Sequence, residues 1–303
     1  TARKEALAAV GKVPLETAII GTTSQWLDSL VIRLADRENI AVPMTRRGGK
    51  SDAITGGYVH DIEGGRYPWV AVLDFKSMYP SIMITNNICS TTLVRDDSEE
   101  DSHHVSPNTK TRYLSKDERL GLVPQLLKVL MDSRDTHKKA LAKANKEGDE
   151  AEAFLQDQLQ YAVKILMNSF YGVFASSFYR FTHPLLGASI TEWARHNIRT
   201  IISGLEEEGS RVVYSDTDSI FVRAPVESGA PIHLPENKTD QEKWERSKDI
   251  TLKFGDSLAE RFSKEGAELE FETALSSFFS FPSFQDKSCA FVISVNISAS
   301  FFC

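Results

Sequence analysis

Six residues, Tyr214-Ser215-Asp216-Thr217-Asp218-Ser219 (YSDTDS), lie between two short β-branched and aromatic runs, Arg211-Val212-Val213 and Ile220-Phe221-Val222. This stretch limits the fold more than any other. Two strand-forming runs so close together double back as a hairpin, with Ser, Asp and Thr in the tight turn. Side chains alternate along an extended segment, so Asp216 and Asp218 are expected to point the same way. Two carboxylates at a hairpin tip repel each other unless a cation sits between them, and hard oxygen ligands on a compact turn favour Mg²⁺. A lone DxD is more often a solvated acidic turn, so the remaining residues have to decide.

Trp69-Val70-Ala71-Val72-Leu73 is a continuous apolar run of strand length, which reads as a central strand covered on both faces. It delivers Asp74 from the end of a buried strand, where an active-site ligand would stand. Pro80 then suits the first position of a new helix. Pro124 opens a long amphipathic helix running to about Lys146, with Leu126, Leu127, Leu130 and Met131 on its apolar side. Glu147-Gly148-Asp149 is a turn. A second helix from about Glu150 to Phe170 keeps Leu155, Leu159, Val163, Leu166 and Phe170 on one face. The two make an αα-hairpin. Lys164, Asn168 and Tyr171 recur on another face of the second helix, and Arg134 and Lys138 are one turn apart on the first. Arg134, Lys138 and Lys164 could together cradle a phosphate. Lys139, Lys143 and Lys146 read as a solvated face.

The other segments are less telling. Residues 1 to 40 read as mostly helical, Arg46 to Ser51 as a basic loop, and 95–111 as a polar loop with His103-His104 solvated. Residues 185–202 read as helical and 224–247, with three prolines, as a loop or small insertion. A helix from about Asp249 to Glu265 precedes a strand, Glu268 to Glu272. Residues 280–303 are rich in Ser and Phe, with no period that packs them. At 303 residues and 41% hydrophobic, the chain can bury a core and form two subdomains. No apolar run approaches ~18 residues, so no membrane partner is expected. Three scattered cysteines (Cys89, Cys289, Cys303) suit a reducing compartment and match neither a disulfide framework nor a zinc spacing. A net charge of −7 argues against a generic nucleic-acid coat but allows a nucleic-acid enzyme with a local basic surface. Thr1 is not an initiator Met, which suggests an internal piece of a longer protein.

Three stretches, DFKSMYPSIM (74–83), KILMNSFYG (164–172) and YSDTDS (214–219), resemble in order and spacing the three polymerase motifs of family B DNA polymerases. The wording around them, including FYGVFASSFYRFT at 170–182, looks most like archaeal replicative members. The resemblance covers roughly residues 20 to 279. It implies an α+β fold: an antiparallel-sheet palm with a ferredoxin-like core, and an inserted αα-hairpin fingers subdomain. The expected division is palm entry at 1–62, palm at 63–118 and 174–279, fingers at 119–173, and an atypical tail at 280–303. That tail stands where the family has a basic lysine–tyrosine motif and then a thumb. It reads as foreign, a frameshift or read-through end, and the other reading frames downstream would encode the missing parts.

The resemblance also implies roles. Asp74 and Asp218 are the main metal ligands and Asp216 stands beside them, together holding two Mg²⁺ ions. Tyr79 lies under the sugar of the incoming nucleotide and excludes a 2′-hydroxyl. Lys164, Arg134 and Lys138 contact the triphosphate, while Asn168 and Tyr171 line the base-pair pocket. Gly56 and Gly57 fall in a template-contacting element whose tyrosine position holds Ile54. Gly172 and Tyr214 complete the expected DNA contacts. The implied partners are primer–template DNA, deoxynucleoside triphosphates and, through regions outside this chain, a sliding clamp. The implied location is the cytoplasm, at the nucleoid in a prokaryote. The alternatives are an inactive DNA-binding fragment and a DxD-type nucleotide-sugar transferase. The latter leaves KILMNSFYG and SMYPS unexplained. A reverse transcriptase is disfavoured because its aspartates are adjacent.

Overall fold

A computed structural model describes residues 2–44, 56–60, 64–94, 103–176, 179–233, 235–264, 267–280 and 293–296. In chain order come helices α1 (Ala2–Gly11), α2 (Leu15–Ile20) and α3 (Thr23–Arg37), strand β1 (Gly65–Phe75) and helix α4 (Met78–Thr85). The short strands β2 (His104–Val105) and β3 (Arg112–Tyr113) precede the long helices α5 (Leu122–Glu147), α6 (Glu150–Phe174) and α7 (Pro184–Glu207). Strands β4 (Val212–Asp216) and β5 (Ser219–Arg223), helix α8 (Lys238–Phe262) and strands β6 (Leu269–Ser280) and β7 (Ile293–Asn296) follow. The chain divides into two compact units, Thr1–Thr55 with Tyr79–Trp193, and Gly56–Met78 with Ala194–Cys303.

The first unit is helical, apart from the β2–β3 hairpin. Helices α5 and α6 form the expected αα-hairpin. Gly148 closes α5 in the left-handed conformation (φ 73°), where a Cβ would be strained, and the Asp149 carboxylate caps α6 by accepting from the Glu152 amide at 3.0 Å. Buried Asn87 anchors the start of α5. Its amide nitrogen donates to the Leu114 and Arg119 carbonyls, both at 2.8 Å, and its oxygen accepts from the Gly121 amide at 2.9 Å. Leu166 and Phe170 are fully buried on α6, but Leu155, expected on the same stripe, is 49% exposed beside exposed Phe154. The stripe is covered only toward the C-terminal half of the helix. His103, expected in solvent, is instead buried, its Nε2 3.9 Å from the Glu118 carboxylate. Helix α4 begins at Met78, so Pro80 is its third residue rather than its first. First-turn amides have no intrahelical acceptor, so the missing N–H costs nothing there either.

The second unit is built on an antiparallel sheet, ordered β4-β5-β1-β6-β7 among the described residues. Strand β1 extends past both ends of the expected 69–73 run and takes in Pro68. Pairing with β5 starts only at Val70↔Arg223, so no partner on that side needs the missing Pro68 amide hydrogen. One face carries the core of Tyr67, Val70, Val72, Val213, Tyr214, Leu275 and Phe278. Helix α8 packs against β1 and β6. It starts at Lys238, inside the expected loop, capped by the Asn237 side chain accepting from the Asp240 amide at 2.8 Å. Its buried positions are Ser247, Thr251, Gly255 and Leu258. Such a small, mostly polar face leaves no apolar stripe to see in sequence, and a Cβ on Gly255 would overlap the Phe271 ring. Within the stretch that lacked a packing period, Ile293–Asn296 adds to the sheet as β7, at Phe278↔Ser294 and Phe279↔Ile293. Pairing of this kind runs through backbone groups and needs no side-chain period.

Candidate active site

The expected strand–turn–strand at 211–222 is present, but with a finer geometry. Strands β4 and β5 pair up to Asp216↔Ser219, which leaves only Thr217 and Asp218 in the turn. Asp216 therefore ends a strand and Asp218 does not, so period-two alternation does not relate them. The Asp218 amide donates to the Asp216 carbonyl at 2.6 Å, closing a three-residue turn with Thr217 at φ 53°. A positive φ at a β-branched residue is strained, and strain of this kind collects at functional sites.

The turn is brought to the end of β1. Asp74 lies opposite Ser219, whose hydroxyl donates to Asp74 Oδ1 at 3.2 Å. The Phe75 amide donates to the Asp218 carbonyl at 2.9 Å. Burial pushes the Asp74 pKa up to about 6, with the Asp218 and Glu272 charges adding to it. Burial likewise raises Asp218; its own backbone amide opposes the shift and the Asp216 charge adds to it. Asp216 is held differently. Its Oδ1 accepts from the Thr217 hydroxyl at 2.9 Å and its Oδ2 from the Tyr214 hydroxyl at 3.3 Å. Tyr214 is otherwise a core residue, its ring 5.3 Å from that of Phe221 and 6.2 Å from that of Phe278.

Among the described residues, no three carboxylate, histidine or cysteine groups converge into a metal site by themselves. The donors present nevertheless suit Mg²⁺. Asp74 and Asp218 are hard ligands whose mutual repulsion a cation would relieve, and Mg²⁺ is commonly held by one or two carboxylates plus phosphates and water. Asp74→Asn is accordingly expected to stabilise the protein in EDTA. The raised folded pKa means that this group's stability increment is complete below the unfolded value of 3.8 and is lost as pH rises through about 6. The full shift corresponds to about 3 kcal/mol, which solvent exposure of the side chain screens to roughly 1 kcal/mol. Thermal melts at pH 8 should favour the variant, and the gap should close toward pH 4. A difference between variant and parent that is the same at both pH values would refute the raised Asp74 pKa, which burial causes first and the Asp218 and Glu272 charges second.

Glu272, Ser219 and Lys76 were not picked out by the sequence. Glu272 occupies a break in register on β6, where Leu73↔Phe271 passes to Val72↔Thr273. Bulges of this kind often stand beside active sites. Lys76 lies 3.9 Å from the Glu268 carboxylate and 3.8 Å from that of Glu270. The alternating acids of Glu268-Leu269-Glu270-Phe271-Glu272 were a visible signal, but only the sheet register brings them to Asp74.

The expected nucleotide residues lie in the first unit. Lys164, Asn168 and Gly172 follow at four-residue spacing on an exposed face of α6, and a Cβ on Gly172 would meet nothing within 4 Å. Tyr171 packs on Tyr79, their rings 4.4 Å apart. Lys138 on α5 is exposed, whereas Arg134 is half-buried, its buried Nε lacking a hydrogen-bond partner among the described residues. Lys143 pairs with Glu147 at 3.8 Å in solvent, as expected of that outer face. Gly56 and Gly57 lie in the second unit, beside the carboxylate turn. Arg46–Ser51 and Ile54 fall outside the described residues.

The model of DNA polymerase family B matches residues 13–232. This chain belongs to that family. The family B chain is 35% identical over 228 residues to a DNA polymerase of Desulfurococcus sp. (strain Tok), covering 73% of this chain and 28% of that protein. It is 37% identical over 177 residues to the DNA polymerase of Thermococcus gorgonarius, covering 58% and 22%. It is 29% identical over 239 residues to the DNA polymerase delta catalytic subunit of Bos taurus, covering 74% and 21%. The chain thus spans about a quarter of the length of these relatives. The family B DNA polymerase of Pyrobaculum calidifontis shares the fold at a TM-score of 0.65 and 23% identity, with 93% of this chain and 33% of that one covered. No helix of the described residues is long and apolar enough to cross a membrane.

Proposed function

We propose that this chain is a DNA-directed DNA polymerase core that adds deoxynucleotides to a primer 3′-hydroxyl during replication. The observation that carries the proposal is the coupling of Asp74 to Asp218 at the end of β1, inside a chain of family B. In this reading 63–118 and 174–279 are the palm and 119–173 the fingers.

The reaction is an in-line displacement: the primer 3′-oxygen attacks the α-phosphorus and pyrophosphate leaves. Two bound Mg²⁺ ions would supply charge neutralisation at the attacking and leaving oxygens. Asp74 and Asp218 would hold the cations, and Asp216, fixed by Tyr214 and Thr217, adds negative charge beside them. Arg134, Lys138 and Lys164 bind the triphosphate, Arg134 through its planar guanidinium fork and the lysines as point charges. Asn168 and Tyr171 line the base-pair pocket. Gly56, Gly57 and Gly172 serve the duplex, which is held mainly through phosphates and so without sequence preference and with strong salt dependence. Tyr214, expected beside them, is instead a buried core residue that holds Asp216.

Tyr79, braced by Tyr171, excludes the ribose 2′-hydroxyl by bulk. Forcing an extra group against a packed ring costs about 1–3 kcal/mol, so Tyr79→Val should raise the relative use of ribonucleotides roughly 10–100-fold. Primer extension with Mg²⁺ on a primed template, comparing deoxy- with ribonucleotides, tests polymerisation and this role together. A gel shift without incorporation would identify a DNA-binding fragment instead.

A further inference from the structure

The strained turn is held from outside its own hairpin. Residues 56–60 run antiparallel to β4 along its free edge, with Val59 opposite Asp216. The Thr217 amide donates to the Tyr58 carbonyl at 2.9 Å and the His60 amide to the Ser215 carbonyl at 3.0 Å. This ribbon approaches the turn closely only because Gly57 has no side chain. A Cβ there would stand 2.9 Å from Thr217 Oγ1 and 3.0 Å from its Cγ2. The ribbon is gripped in turn by α7. Arg195 Nη1 donates to the Gly56 carbonyl at 2.6 Å, and the Arg199 guanidinium lies 4.9 Å from the centre of the Tyr58 ring. Arg195 and Arg199 are four apart, on one helix face. The carbonyl of Gly56, the clearance at Gly57 and the amide of Thr217 thus form a continuous path from α7 to the residue preceding Asp218.

We propose that Arg195 is a positioning residue for the carboxylate turn: by holding Gly56 it keeps the Gly57–Tyr58 ribbon on Thr217, and so fixes Asp218 beside Asp74. The inference rests on the polymerase reading for its effect on catalysis, but the clamp itself does not require that reading. Thr217 at φ 53° would relax to a commoner conformation if its amide lost the Tyr58 carbonyl. Relaxation there moves the adjoining Asp218 away from the geometry set by the Phe75 amide. Arg195 need touch neither substrate nor metal to control the turn.

The test compares Arg195→Ala and Arg195→Lys with the parent chain. Amide hydrogen exchange at Thr217 and His60, measured without metal or DNA, should be about tenfold faster in the alanine variant, the size expected for losing a hydrogen bond from a charged donor. Lysine can still donate to a carbonyl and should restore most of the protection. In primer extension, kcat of the alanine variant should fall about tenfold or more, while nucleotide KM and the salt dependence of duplex binding stay at parent values. Gly57→Ala pushes on Thr217 from the other side of the contact and should reproduce the kcat loss with Arg195 intact. It also carries the test if Arg195→Ala does not fold. Parent-like exchange in Arg195→Ala, or duplex binding weakened with a shallower salt dependence, would overturn the proposal in favour of a plain surface residue or a direct phosphate contact. If the parent chain fails to extend primers while the exchange pattern holds, the polymerase reading fails and the clamp stands.

Discussion

Asp218→Asn is expected to lower Mg²⁺-dependent primer extension by about 10³-fold or more, with primer–template affinity changed less than about threefold. A metal that stabilises developing charge contributes several kcal/mol to the transition state, and each 1.36 kcal/mol is tenfold in rate, so about 4 kcal/mol gives this loss. Asn keeps the shape and one oxygen but loses the charge, while DNA held by phosphate contacts elsewhere gains or loses little. The site geometry adds a second part to this expectation. Asp218 is one of the charges that raise the Asp74 pKa, so removing it relieves Asp74 and should not destabilise the fold. The melt in EDTA should match or exceed that of the parent. Near-parent extension rates in the variant would refute the metal assignment outright.

Lys164→Ala is expected to reduce kcat/KM for the incoming nucleotide roughly 10–100-fold, from loss of hydrogen bonding between a cation and a phosphate. Lys164 lies on the exposed face of α6, one turn from Asn168 and away from the buried Leu166 and Phe170. Truncating it therefore leaves the helix core intact, and the melt should not move. Arginine at the same position keeps the charge but changes a point donor to a planar fork, so only partial recovery is expected. Steady-state kinetics across nucleotide concentrations check both variants. A change confined to duplex affinity would assign Lys164 to DNA rather than to the triphosphate.

Much of the fold was legible wherever local pattern and environment agreed. The α5–α6 hairpin was marked by Pro124, by the Gly148-Asp149 turn and by the stripe through Leu166 and Phe170. The β4–β5 hairpin was marked by its β-branched runs. The misreadings have physical causes. Helix α8 covers most of the expected 249–265 helix but begins at Lys238, inside the expected loop; its buried positions Ser247, Thr251 and Gly255 are small residues rather than apolar ones, so its first turns carry no apolar period. Leu155 fits the α6 stripe by spacing, yet it stays half exposed among the described residues. His103 looked solvated among polar neighbours, but the tertiary fold buries it.

The candidate site divides in the same way. Local sequence determined which chemistry was available: carboxylates at 74, 216 and 218, cations on two helices, a tyrosine pair and two consecutive glycines. It did so because residue type and short-range spacing are local properties. Which carboxylate faces which was decided only by the tertiary structure. Sheet register sets Ser219 opposite Asp74 and brings Glu272 to the same end, while Tyr214 and Thr217 turn the Asp216 carboxylate into a hydrogen-bonded one. Arg195 and Gly56 are 139 residues apart, and nothing in either neighbourhood predicts their contact. Long-range register comes from the packing of the whole sheet and its helices, and that packing fixes where the acidic turn points.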